Sequence, residues 1–174
     1  MIFTAYADGW MELPGRLSRC ALGSAGVVAA GAKREGDGAS PAGLWPLRGV
    51  LFRQDRCPAP ATRLPLAALD PADGWCDAPG DPAYNQQVRL PYPASAEALW
   101  REDRVYDLIV ILGYNDAPVV DGAGSAIFLH LARTDFSPTQ GCVALAGADL
   151  LHLLSLARPG DGVRIRGERH KAYA

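Results

Sequence analysis

The chain has 174 residues, which at about 150 residues per domain corresponds to one domain whose core needs no metal or disulfide staple. Lys and Arg number 17 against 19 Asp and Glu, a formal net charge of −2; this speaks against the concentrated basic face that a nucleic-acid backbone demands. With 19 Gly and 14 Pro, a long helical bundle or coiled coil is excluded, and short strands joined by ordered loops are expected.

Ile2–Ala7 and Leu17–Leu22 read as strands, with turn signals at Asp8-Gly9 and Pro14-Gly15 between them. The opening stretch Met1–Asp8 has no basic n-region, so no export signal is read in it. Val27–Ala30 reads as a further short strand. Gly31–Gly43 reads as a loop; it carries Lys33 but not the order of residues that cradles a phosphate. Leu47–Arg53 is the next strand.

Between Pro58 and Pro93 there are eight prolines, which lack the N–H of a central strand and interrupt helices. Interleaved Leu64, Leu66, Leu69, Trp75, Tyr84, Val88 and Tyr92 argue for a long loop packed on the body rather than a disordered linker, because disordered segments are poor in aromatics. Ser95–Arg101 reads as a short helix with Ser95 as N-cap. Asp107–Gly113 is the strongest strand signal, a continuous apolar run suited to burial on both faces. The longest uncharged apolar run, Leu108–Tyr114, falls short of the roughly 20 residues a membrane span needs. Ala126–Leu131 is a second buried strand. After Gly141–Leu145, the leucines at 150, 151, 153, 154 and 156 mark an amphipathic helix, and Val163–Arg166 closes as a strand. The expected architecture is mainly β, with one substantial C-terminal helix and the proline-rich loop 58–93, in a single domain over 1–174.

The chain has four cysteines and three histidines, and context narrows their pairings. His130 ends an apolar strand, and Cys142 opens the next apolar segment after a polar loop. An imidazole beside that thiol can take its proton and hold the thiolate as an ion pair, lowering the thiol pKa from about 8.5. Gly141 permits close backbone approach, and the N–H groups around Cys142 can form an oxyanion hole. The alternative is a small buried cysteine beside a hydrogen-bonded core histidine. Arg133 and Tyr114 either contact a substrate carboxylate or peptide, or are a surface arginine and a packed tyrosine. Asp116 and Asp135 are candidates to orient His130. Cys20 reads as core, and Cys57 and Cys76 either pair in an oxidising compartment or stay free. His152 lies at the polar edge of the helix and His170 in a basic tail. No C-x-x-C spacing or ligand cluster is visible, so neither metal nor cofactor is expected.

Ile127-Phe-Leu-His130 followed by Ser137-Pro-Thr-Gln-Gly-Cys-Val143 resembles the active-site signature of the L,D-transpeptidases, the YkuD-type catalytic domain. Lys33–Gly43, with its Ser-Pro-x-Gly element, resembles the upstream Thr-Pro-x-Gly element of that domain. Leu112–Asp116 and Gly124-Ser125 resemble the stretch leading into its histidine strand. The resemblance covers roughly Gly23 to Ile165. It implies a β-rich domain that transfers acyl groups between peptidoglycan stem peptides, with Cys142 as nucleophile, His130 as base, Gly141 beside the oxyanion pocket and a backbone carbonyl orienting the histidine. Tyr114, Arg133, Thr139 and Gln140 are then the candidate substrate contacts. Two departures stand out: Gln140 where the family often has His, and Leu131 where it often has Gly. With the proline-rich segment, they resemble the branch that makes 1,3-type cross-links between L-alanine and diaminopimelate. Donor and acceptor stem peptides are the implied partners, the expected form is a monomer, and the expected location is the periplasm. A peptidase acting with water, and an inactive peptidoglycan-binding module, are the competing readings.

Overall fold

Short strands dominate because the glycine and proline turns leave few uninterrupted stretches. The computed structural model describes residues 1–169. In chain order the strands are β1 (Ile2–Tyr6), β2 (Trp10–Leu13), β3 (Arg16–Ala21), β4 (Val27–Ala29), β5 (Ser40–Phe52), β6 (Leu66–Ala68) and β7 (Asp73–Cys76). They continue with β8 (Gln87–Arg89), β9 (Ala96–Ala98), β10 (Leu108–Leu112), β11 (Phe128–Leu131) and β12 (Val143–Leu145); α1 (Gly147–Leu156) and β13 (Gly162–Arg166) follow. The architecture is mainly β with one α-helix among the described residues. His170 lies outside them.

The main sheet runs β10-β11-β12-β3-β2-β1-β13-β5-β4, with β6 beside β5. Because β10 also pairs with β5, the sheet closes on itself, and closure removes the open edges that would otherwise template aggregation. The long strand β5 makes this possible. Its first part, Gly43–Pro46, pairs with β13, and its second, Leu47–Phe52, pairs with β10. The expected turns at Gly9 and Gly15 are both present with positive φ, but the strand β2 between them had no separate sequence signal.

The apolar run of β10 is buried on both faces, as its composition predicts. Leu108, Val110 and Leu112 point into the main core with Leu129 of β11 and the α1 leucines. Ile109 points the other way, into a second core with Leu51, Phe128, Trp75, Leu99, Val105 and Tyr106. That second core is roofed by a small sheet of order β8-β7-β9.

Two expectations are corrected here. Ser95–Arg101 is not a helix: Ala96–Ala98 is an edge strand on β7, with Gly74 opposite Ala98 and Trp75 opposite Glu97. A helix of so few residues is marginal on its own, and pairing with β7 satisfies its backbone instead. The proline-rich stretch does hold a central strand, because β7 falls in the proline-free interval between Pro71 and Pro79, where every N–H can donate. Cys57 and Cys76 are free thiols.

On α1, Leu150, Leu153 and Leu154 are fully buried while Leu151 is exposed. Leu154→Ala should therefore cost about 2–5 kcal/mol, and Leu151→Ala no more than about 0.5 kcal/mol, as measured by urea unfolding.

Candidate active site

The parallel strands β11 and β12 pair with His130 opposite Ala144 and Leu129 opposite Val143. Extending that register puts Cys142 beside Phe128, and the Phe128 N–H reaches its sulfur at 3.4 Å. Side chains alternate along strands, so Cys142 and His130 share one face, offset by two residues or about 7 Å along the strand. Both line a cleft of about 530 Å³ whose wall also carries Lys33, Glu97, Tyr106 and Arg133.

The position of Cys142 is set by the residue before it. Gly141 has φ +133, and a Cβ there would stand 2.8 Å from the Ala39 carbonyl oxygen. The Gly141 carbonyl accepts the Ser40 hydroxyl at 2.8 Å, and Ser40 Oγ in turn accepts the Gly23 N–H at 2.9 Å. Thr139 Oγ1 accepts the Gly141 N–H at 3.1 Å and donates to the Cys142 carbonyl at 2.7 Å. Thr139 is thus a buried clamp on the cysteine turn rather than a free substrate contact. The Gly141 N–H is also spent, which corrects the expectation that it serves an oxyanion. Among the described residues the Cys142 N–H has no intramolecular partner, so it is the donor left for that role.

His130 Nδ1 lies 2.9 Å from the Leu131 carbonyl. A carbonyl only accepts, so Nδ1 carries the proton and Nε2 keeps a lone pair. The orienting group is therefore a backbone oxygen. Asp116 is engaged with Arg48 at 2.7 Å, and Asp135 accepts the Ser137 N–H at 2.9 Å; neither orients the imidazole. The Tyr106 ring stacks edge-on against His130 at 5.2 Å between centroids, and its hydroxyl donates to Glu97 at 2.8 Å.

A preformed thiolate–imidazolium pair is not what this cleft holds. Burial pushes the Cys142 thiol up to about 12, reinforced by the Glu97 charge and opposed by the Phe128 N–H and the Tyr106 hydroxyl. Burial lowers His130 to about 4, against the Leu131 hydrogen bond, with the Arg133 and Arg101 charges adding to the depression. The thiol donates to the Ala126 carbonyl at 3.1 Å and is not hydrogen-bonded to the imidazole. The ion pair inferred from the sequence fails because both groups are desolvated, and a dry site penalises both charged forms.

Arg133 lines the cleft, exposed and held to Asp103 at 3.0 Å, and Gln140 lines it beside Gly38. Tyr114 is different. It is buried in the main core edge-on to Trp45 at 4.9 Å, and its hydroxyl donates to the Ala123 carbonyl, so its surface is spent on packing. Cys20 is core, as expected, and His152 Nε2 meets the Pro14 carbonyl away from the cleft. Sequence reasoning missed Tyr106, Glu97 and Asp77, since no spacing relates them to Cys142; the aromatics of the proline-rich stretch were the one available hint. Among the described residues, no group of three or more His, Cys, Asp or Glu side chains could hold a metal ion, and no helix is long and apolar enough to cross a membrane.

The site is thus a thiol and an oriented imidazole in one cleft of a closed β-rich body. The family model of the L,D-transpeptidase catalytic domain, YkuD, matches residues 2–165, and the chain belongs to that family. No curated protein and no solved structure matches the chain significantly.

With the Cys142 thiol raised to about 12, the protein should be alkylated at Cys142 by iodoacetamide at a rate that still climbs with pH above 9. An ion pair would instead give a plateau near neutrality; peptide mapping after timed labelling reads the difference.

Proposed function

We propose that the protein is a cysteine-dependent L,D-transpeptidase that cross-links peptidoglycan stem peptides through a thioester on Cys142. The observation that carries this reading is the pairing of Cys142 with a His130 whose Nδ1–H is locked on a carbonyl, leaving Nε2 as a base on the same face of adjacent strands. A neutral thiol and a neutral imidazole suit general-base activation, in which the proton moves only as the bond forms. Sulfur attacks the donor carbonyl while Nε2 takes the thiol proton, and the Cys142 N–H faces the developing oxyanion. The imidazolium returns that proton to the leaving amine as the C–N bond breaks. An acceptor amine then attacks the thioester and expels the thiolate, which is reprotonated.

The finer reading is 1,3-type cross-linking between L-alanine and diaminopimelate. It is favoured by Gln140 and Leu131, where the family often carries His and Gly, and by the proline-rich segment beside the cleft. Trp75 packs edge-on against Phe128 at 5.0 Å, and Tyr84 donates to Glu35 at 2.5 Å; both residues come from that segment. The proposed location is the periplasm, where the polymer lies, and the proposed form is a monomer.

Intact mass after incubation with muropeptides tests the reading. Wild type should gain the donor mass less the leaving group, whereas Cys142→Ala should gain nothing and lose turnover by at least about a thousandfold. Cys20→Ala should retain turnover. Product released with water in place of an amine would make the protein a peptidase.

Replacing Ala78–Pro82 by a Gly/Ser linker leaves β7 and Tyr84 in place. It should shift muropeptide products toward hydrolysis or a different donor while Cys142 remains alkylatable. An unchanged product distribution would make the segment a scaffold only.

A further inference from the structure

The small sheet places two carboxylates in the cleft, and of the two only Glu97 has a basic group near it, Arg101 at 3.6 Å. Trp75 of β7 lies opposite Glu97 of β9, and the Asp77 N–H donates to the Ser95 carbonyl at 3.2 Å. Asp77 and Glu97 are therefore diagonal neighbours on one face of that sheet, and both line the cleft that holds Cys142. Glu97 Oε1 accepts the Tyr106 hydroxyl at 2.8 Å and lies 3.6 Å from Arg101. Among the described residues, Glu97 Oε2 has no partner, and neither has the Asp77 carboxylate, whose Oδ1 is a buried atom. Ser125 lines the same cleft at 8% exposure, and its hydroxyl is likewise unpartnered.

The nearby cations make their short contacts with other carboxylates. Arg101 grips Asp103 at 2.9 and 2.7 Å, Arg133 shares that carboxylate at 3.0 Å, and Lys33 holds Asp37 at 2.7 Å. A buried polar atom with no partner is costly until one is supplied, and in the cleft Asp77 Oδ1 and Ser125 Oγ are such atoms. A primary ammonium brings one positive charge and three N–H donors, one for each of the Asp77, Glu97 and Ser125 side chains.

We propose that Asp77, Glu97 and Ser125 form the subsite for the acceptor's primary ammonium, an inference that rests on the thioester reading above. An ammonium has no lone pair, so it must lose a proton before it can attack. One N–H proton passes to the Glu97 carboxylate, and the freed lone pair forms the C–N bond to the thioester carbonyl. A second N–H proton goes to His130 Nε2, the C–S bond breaks, and the imidazolium returns that proton to the thiolate. Glu97 then releases its own proton to water.

The test uses the full chain with a diaminopimelate-containing stem peptide as acceptor. Glu97→Gln and Asp77→Asn should each raise the half-saturating acceptor concentration at least about tenfold, the scale of one charged hydrogen bond. That rise should exceed any change in the rate of Cys142 acylation read by intact mass. As a second measurement, n-butylammonium, which keeps the charge and all three N–H donors, should shift the Asp77 and Ser125 amide resonances of unacylated wild type and compete with the acceptor. Variants that fold, acylate and saturate like wild type, or a wild type that acylates but ignores the cation, would overturn the subsite alone. A wild type that binds the cation yet never acylates would sink the thioester reading and leave an ammonium site.

Discussion

The approach of Gly141 to the Ala39 carbonyl, with no room for a Cβ between them, is the constraint on which the site depends. It lets the chain entering β12 press against the start of β5, where Ser40 ties the Gly141 carbonyl to Gly23. Thr139 closes the same turn from the other side. Cys142 is thereby presented at a fixed depth with its N–H unspent. The Ser-Pro-x-Gly element near position 40 thus acts at a distance of about a hundred residues in sequence, as a buttress rather than as a contact for substrate.

Around that turn the cleft is dry, and dryness decides the resting electrostatics. The thiol and the imidazole are each driven toward neutrality by burial. The charged groups nearby are arranged in structural pairs, with Asp103 held down to about 2 chiefly by the Arg101 hydrogen bonds. Asp77, Glu97 and Glu35 carry the remaining carboxylates of the cleft, the first two beside the small sheet.

That sheet gives the proline-rich segment its physical role. It roofs a second core in which Trp75 and Tyr106 flank Phe128, and Cys142 belongs to the same cluster. Asn85 extends the link, accepting the Ala126 N–H at 3.0 Å and the Trp75 indole N–H at 2.9 Å. The thiol bonds to the carbonyl of that same Ala126. Segment and site are one packed unit.

By itself the sequence determined the strands of strong apolar pattern, the buried face of α1, the turns at Gly9 and Gly15, and that His130 and Cys142 lie in one cleft. These are local periodicities, or residues close enough along the chain for one loop to join them. It did not determine that Thr139 and the Gly141 N–H are consumed in the turn, that Tyr114 is packing, or that Asp116 and Asp135 serve other partners, since each depends on which donors a folded neighbour has already taken. The short helix expected at Ser95 became a strand because β7 offered its backbone partners from 20 residues away. Likewise the ion pair became a neutral pair because desolvation belongs to the assembled cleft. Charge state and hydrogen-bond occupancy are sums over everything packed around a group, and only the tertiary structure brings those terms together.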